Sequence, residues 1–70
     1  MRYEEIVELL SWAGNQDRPV RVLTAERGEL LGVPTTIDTH VTAHEAWLRP
    51  LDGATEISVS LGEIRGVELL

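Results

Sequence analysis

The chain has 70 residues and no cysteine, so disulfides, thiolate metal sites and cysteine nucleophiles are excluded. It contains no lysine, and its only aromatic residues are Tyr3, Trp12 and Trp47. No long apolar run is present, which predicts that no segment spans a membrane. A chain this short has room for one domain, here taken as residues 1–70.

Charge of one sign dominates the composition. Twelve acidic residues against six arginines give a formal net charge of -6. A balance this acidic disfavours non-specific binding to nucleic acid or anionic lipid, because a basic footprint supplies that affinity. The first five residues are also too acidic for a signal peptide. The sequence therefore predicts an acidic domain in the cytoplasm.

An amphipathic helix is predicted over residues 3–13. Apolar residues recur there at helical spacing, and Gly14 with Asn15 provides a plausible stop. Glu4 and Glu5 favour the positive N-terminal end of such a helix. Trp12 widens the apolar face, so we expect its side chain to be buried, while the sequence does not decide the position of Trp47.

Short extended segments follow the helix. Alternating and β-branched residues predict strands at 20–24, 30–37, 41–48, 57–61 and 67–70. Gly32 predicts a bend in the second strand, and Pro34 marks an edge or a bulge. Asp52-Gly53 is a hairpin signal, and Arg65-Gly66 interrupts the pattern before the last strand. The predicted fold is mainly β (α+β), a helix followed by a strongly bent five-stranded antiparallel barrel over residues 19–70.

The residues offer no catalytic constellation. Ser11, Ser58 and Ser60 lack the glycine elbow of a nucleophile, and neither a phosphate loop nor a dinucleotide fingerprint is present. We therefore expect neither an enzyme nor a cofactor.

Two histidines raise the question of a metal site. His40 and His44 are four residues apart and Glu45 follows. On a strand they would share a face but lie about 13 Å apart, too far to bind one ion, whereas a helical segment would bring them together. Val41 and Thr42 favour a strand, so we predict solvated histidines and no metal.

Two segments resemble the motifs of the Sm and Sm-like family. In the first, Gly32 is followed six residues later by Asp38, and Asp38-Thr39-His40-Val41-Thr42 follows the family pattern up to its last position. In the second, Ile64-Arg65-Gly66 precedes a short apolar strand. The resemblance covers nearly the whole chain and implies an N-terminal helix and a five-stranded bent barrel.

The resemblance also implies a pocket for a nucleic-acid base. His40 would stack on one face of the base, Arg65 would cover the other, and Asp38 would brace the pocket. Thr42 stands where the family has an asparagine that binds the base edge. The residue after Gly66 is apolar, where the family often has a polar one. Both departures weaken the case for uracil, and a bulge that turns the strand is an equal explanation of Arg65-Gly66.

The segments 21–29 and 56–67, together with the acidic charge, also resemble the Rho-binding antiterminator group of small barrels. That resemblance implies binding to a protein, a termination factor whose RNA site is blocked. Two functions therefore stand side by side, a protein-binding adaptor or regulator in RNA metabolism or transcription, and an RNA-binding ring with a pocket at His40 and Arg65. A ring should gather its arginines on one face, namely Arg2, Arg21, Arg49 and Arg65. An adaptor should spread acids over the surface that meets a basic partner.

Both functions predict a homo-oligomer. Sm-like barrels close rings by pairing the fourth strand of one subunit with the fifth of the next, which here means residues 56–61 and 67–70. The expected partners are thus further copies of the chain, together with a basic protein or single-stranded RNA.

Overall fold

A computed structural model describes all residues, 1–70, and begins with one helix, α1 (Tyr3–Asn15). The Glu5 carboxylate accepts a hydrogen bond from the backbone N–H of Arg2 at 3.0 Å, which satisfies one of the free donors at the helix start. The predicted helix over 3–13 is confirmed and extends two residues further. It is too short to cross a membrane.

The expectation for Trp12 is wrong. The buried face of α1 is narrow and consists of Ile6, Leu10 and Ala13, while the Trp12 side chain is 45% exposed. Trp12 follows a different row of the helix, and the guanidinium of Arg18 lies 5.9 Å from the centre of its ring. Trp47 in the sheet is half-buried, so it is the more buried of the two tryptophans.

Five antiparallel strands follow the helix, in the spatial order β4-β3-β2-β1-β5. The strands are β1 (Val20–Thr24), β2 (Glu29–Asp38), β3 (Glu45–Pro50), β4 (Ile57–Ser60) and β5 (Ile64–Leu69), with a 3-10 turn (Leu61–Glu63) between the last two. The predicted fold class, mainly β with an N-terminal helix, is confirmed.

At Gly32, where the sequence predicts a bend, β2 passes from one neighbouring strand to the other. Gly32 pairs with Val20 of β1 on one side and with Pro50 of β3 on the other, so β2 belongs to both halves of the sheet. A Cβ atom at Gly32 would lie 2.6 Å from the carbonyl oxygen of Arg49, a distance that only glycine avoids. The register of β2 against β3 then shifts between Pro34 and Thr36, which confirms the predicted bulge.

The third strand begins four residues later than predicted. Residues 41–43 form a turn instead of the start of strand 41–48, and Val41 is 92% exposed. The backbone N–H groups of Ala43 and His44 both donate to the carbonyl of His40, and His44 has a positive φ of 46°. This local bonding overrides the β preference of Val41 and Thr42.

The second motif lies inside a strand and does not interrupt one. β5 already starts at Ile64, and its register against β1 shifts so that Arg65 is an extra residue between Ile64 and Gly66. The predicted strand 67–70 thus begins too late, and the bulge explanation of Arg65-Gly66 holds. Leu61 belongs to the 3-10 turn, so β4 is shorter than predicted.

The core lies between α1 and the concave side of the sheet. It contains no buried polar side chain. Eleven buried residues form one cluster: Ile6, Leu10, Ala13, Val20, Val22, Ala46, Leu48, Val59, Leu61, Ile64 and Val67. α1 contacts β2 and β5 most extensively, so the helix packs against these two strands.

Candidate functional site

Three residues of the predicted pocket lie in or beside one turn between β2 and β3. The Asp38 carboxylate accepts a hydrogen bond from the backbone N–H of His40 at 2.9 Å. The Nδ1 atom of His40 and the Thr42 hydroxyl are 3.0 Å apart. The N–H of His44 donates to the carbonyl of His40 at 2.8 Å and closes the turn. Asp38, His40 and Thr42 are thus brought together by local hydrogen bonds.

The 3-10 turn connects this turn to Arg65. The N–H of Leu61 donates to the carbonyl of His44 at 3.1 Å, and the Arg65 guanidinium donates to the carbonyl of Gly62, also at 3.1 Å. His44, which closes the turn of His40, and Arg65 of the second motif therefore contact the same short segment. Gly66 is buried beside Leu23 in the β5–β1 pair and presents no side chain to a ligand.

A residue that the sequence did not place at this site comes from the start of the helix. The Tyr3 ring stacks on the His44 ring with 5.3 Å between centroids and 3° between planes. The Tyr3 hydroxyl and Nε2 of His44 are 3.2 Å apart. The helical spacing assigned Tyr3 to the apolar face, and nothing in the local pattern indicates a partner 41 residues away.

The prediction that His40 and His44 lie on a strand is wrong. His40 and His44 lie in one turn and not on a strand, so their backbones are close. Their rings have separate partners, Thr42 for one and Tyr3 for the other. No group of three or more His, Asp or Glu side chains is placed to hold a metal ion.

The polar groups of the predicted base pocket are occupied by one another. Asp38 holds the backbone of the turn, and Thr42 bonds the ring of His40. A base that stacked on the face of the His40 ring would find the hydroxyl of Thr42, which stands at the position of the edge-binding asparagine, already bonded to that ring. The exposed Arg65 side chain contacts the 3-10 turn through the carbonyl of Gly62.

Three of the six arginines, in β1, in the turn after it and in β3, are paired with carboxylates. Arg21 lies 3.1 Å from Glu68, and Arg27 lies 2.9 Å from Glu63. Arg49 reaches back to Asp17 between α1 and β1 at 3.0 Å. Two of the four arginines that an RNA-binding ring should display, Arg21 and Arg49, are therefore neutralised by acids beside them.

The acids, in contrast, are mostly unpaired. Of the twelve, four take part in ion pairs, which leaves eight without a cationic partner. These eight are spread over the chain: Glu4, Glu5, Glu8, Glu26, Asp38, Glu45, Asp52 and Glu56. Uncompensated charge on the surface is thus predominantly negative, and three of these acids lie exposed on α1.

Removing the Asp38 carboxylate should loosen the turn between β2 and β3. We expect Asp38→Ala to lower the free energy of unfolding by about 1 kcal/mol, because the N–H of His40 loses its acceptor. Asp38→Asn keeps an oxygen at that position and should stay close to the wild type. Urea unfolding of the three proteins measures the difference, and an equal loss in both variants would show that the negative charge matters more than the hydrogen bond.

Comparison of the chain with models of protein families, with curated proteins and with solved structures gave no match. Membership of the Sm-like family therefore stays a prediction that rests on the two motifs.

Proposed function

We propose that this protein is a non-catalytic binding module whose acidic surface recognises a basic surface on another protein, as an adaptor or regulator does. The asymmetry of its ion pairs is the observation that carries the proposal. Arg21, Arg27 and Arg49 are compensated within the chain, whereas two thirds of the acids are not. A surface with surplus negative charge attracts a positively charged partner and repels nucleic acid.

The setting in RNA metabolism or transcription follows from the resemblance to small barrels that bind a termination factor. A protein that binds RNA exposes a basic surface to do so. An acidic domain is complementary to that same surface and competes with RNA for it. The acidic charge of the chain and the resemblance of its motifs thus support the same role.

An RNA-binding ring is the second candidate, because one observation favours it. His44, which closes the turn of His40, and Arg65 both bond to the 3-10 turn, and this supports a site shared by the two segments. Against it stand the internal hydrogen bonds of Asp38 and Thr42 and the ion pairs of Arg21 and Arg49.

Binding of single-stranded RNA separates the two candidates. We expect labelled oligo-uridine and oligo-adenosine to show no change of fluorescence anisotropy with the wild type at physiological salt, and none with His40→Ala/Arg65→Ala. Micromolar binding of oligo-uridine by the wild type, abolished by the double substitution, would contradict the proposal and establish the base pocket.

The binding role of the acidic surface is tested by recovering cross-linked proteins from cells that make this protein. After cross-linking and nuclease treatment, we expect a basic protein to be recovered with the wild type and several-fold less of it with Glu4→Gln/Glu8→Gln. The control Glu26→Gln/Asp52→Asn removes the same charge elsewhere and keeps the oxygen that accepts from the N–H of Ala54. Equal recovery with all three proteins would overturn the role of the helix acids.

A further inference from the structure

The two outer strands of the sheet differ in how their free edges are covered. At β4, the N–H of Leu61 continues the ladder with β3 by donating to the carbonyl of His44. The alternation of antiparallel pairing then turns the backbone groups of Ser58 and Ser60 away from β3. The carbonyl of Ser58 accepts a hydrogen bond from the Arg27 guanidinium at 2.9 Å. A hydrogen bond from a charged donor is stronger than one between neutral groups. A side chain of the chain itself therefore already occupies this outer carbonyl of β4.

Arg27 is fixed in that position from two further sides. Its Nε donates to the Glu63 carboxylate at 3.0 Å, and Glu63 is among the less exposed acids. The backbone N–H of Arg27 donates to the Thr24 hydroxyl at 2.9 Å, which holds the turn between β1 and β2. Another strand can reach β4 only after this arrangement is broken.

The edge of β5 is covered by Met1, whose backbone nitrogen donates to the carbonyl of Arg65 at 3.2 Å. The N–H of Val67 points away from β1 and its partner is the Met1 thioether sulfur at 3.1 Å. A thioether is a weak acceptor, so a backbone carbonyl in its place would form a stronger hydrogen bond with the N–H of Val67. The N–H of Leu70 donates back to the carbonyl of Pro19, and by the same alternation the N–H and carbonyl of Leu69 face outward.

An apolar groove adjoins this edge. Met1, Leu9 and Trp12 form its floor, and the carboxylates of Glu5 and Glu8 stand beside them. Met1 belongs to both features, because it lines the groove and contacts Val67.

Apolar side chains at and beside the β5 edge are exposed to solvent. Met1 is 54% exposed, and Leu69 and Leu70 at the end of β5 are 43% and 44% exposed. An exposed strand edge next to uncovered apolar side chains is a template for another strand.

We propose that the free edge of β5 accepts an extended segment of a different protein, in which basic and apolar residues alternate. Its backbone pairs with Val67 and Leu69, its apolar side chains enter the groove at Trp12, and its basic side chains, on the opposite face of the segment, are attracted by the net charge of -6. The inference rests on the proposed acidic adaptor function and names the surface and the kind of segment that this function would use.

Charge and the state of β4 distinguish this occupant from a second copy of the chain. A copy would present either its own β4, whose Ser58 is bound by Arg27, or its own β5, beside which its own Glu5 and Glu8 lie, and both molecules would carry a net charge of -6. The residue that leads into β4 is Glu56, so its approach would add acid to the acids of the groove. A basic segment has neither obstacle.

The test is a titration of the full chain, labelled with ¹⁵N, followed by NMR. The probe is an acetylated and amidated peptide of alternating lysine and valine, about seven residues long, which is the length of a strand. We expect the amide signals of Val67 and Leu69 and the indole signal of Trp12 to shift, with a Kd of about 1 mM or tighter. The amide signals of Ser58 and Ser60 should stay in place.

Two proline variants probe the two edges in a matched way. Leu69→Pro removes an outward N–H of β5 and should weaken peptide binding about tenfold. Ser60→Pro removes an outward N–H of β4 at a residue whose φ of -64° suits proline, and should leave binding unchanged. The dispersion of the amide spectrum shows that each variant is folded.

A second peptide, in which proline replaces valine, has the same charge but cannot pair as a strand. Equal binding of both peptides, or equal effects of both variants, would overturn strand addition while the acidic adaptor function stands. Binding of neither peptide would overturn both. Sedimentation at the same concentration detects the second copy, and a dimer that Leu69→Pro dissociates would show that the edge serves self-association instead.

Discussion

Substitution of Gly32 by alanine is expected to lower the free energy of unfolding by about 3 kcal/mol. The added Cβ would lie 2.6 Å from the carbonyl oxygen of Arg49, and the obstacle is backbone, which cannot rotate away as a side chain could. Gly32 pairs with Val20 and with Pro50, so a displacement that relieves the clash disturbs the ladders on both sides. A chain of this size has roughly 4–10 kcal/mol of stability to lose. Urea unfolding, followed by tryptophan fluorescence, measures the change.

Gly66 supplies the control for this prediction, since it also lies within a strand. A Cβ there would be 3.5 Å from a terminal carbon of Leu23, an ordinary contact distance. Gly66→Ala should therefore change the free energy of unfolding by less than about 1 kcal/mol. Similar losses at both positions would mean that the contact with Arg49 relaxes, and that β2 does not require glycine at this position.

Leu10→Ala should produce a loss of comparable size, about 3 kcal/mol, because Leu10 is fully buried between α1 and the sheet. The leucine side chain joins the helix to the core cluster, and its removal leaves a cavity at that contact. We expect a lower urea midpoint with helical circular dichroism retained in the folded state.

Trp12→Ala is the informative comparison, since tryptophan is the larger side chain but is exposed. Its removal should change the free energy of unfolding by less than about 1 kcal/mol, most of it from the contact with Arg18. The same variant should weaken the binding of the lysine–valine peptide. A loss of stability as large as that of Leu10→Ala would show that Trp12 is covered in solution and is not part of an open groove.

The strong local patterns were predictable from the sequence. The helix follows from apolar residues at helical spacing, and the bulge of β2 follows from Pro34, whose missing N–H cannot join the ladder. Trp12 was misplaced because the spacing gives the width of an apolar face but not how much of that face the sheet covers. The start of β3 was misplaced because hydrogen bonds to His40 and Asp38 outweigh the preference of two β-branched residues.

The side-chain contacts at the candidate surfaces could not be predicted from the sequence. The motifs identified Asp38, His40, Thr42 and Arg65, yet not that two of these bond each other. The Tyr3–His44 stack joins residues 41 positions apart, and the bond from Arg27 to Ser58 joins residues 31 apart. Contacts at such separations depend on how the helix and the turns are placed, and no local pattern encodes them.

The sequence by itself determined the acidic charge, the amphipathic helix, the order of the strands along the chain and the place of the bulge in β2, because each depends on residue type or on neighbours within a few positions. Tertiary structure alone decided which charges cancel and which residue binds each outer edge of the sheet. Arg27 binds the outer edge of β4 and Met1 that of β5, since folding brings the turn after β1 and the start of α1 to opposite edges of the same sheet.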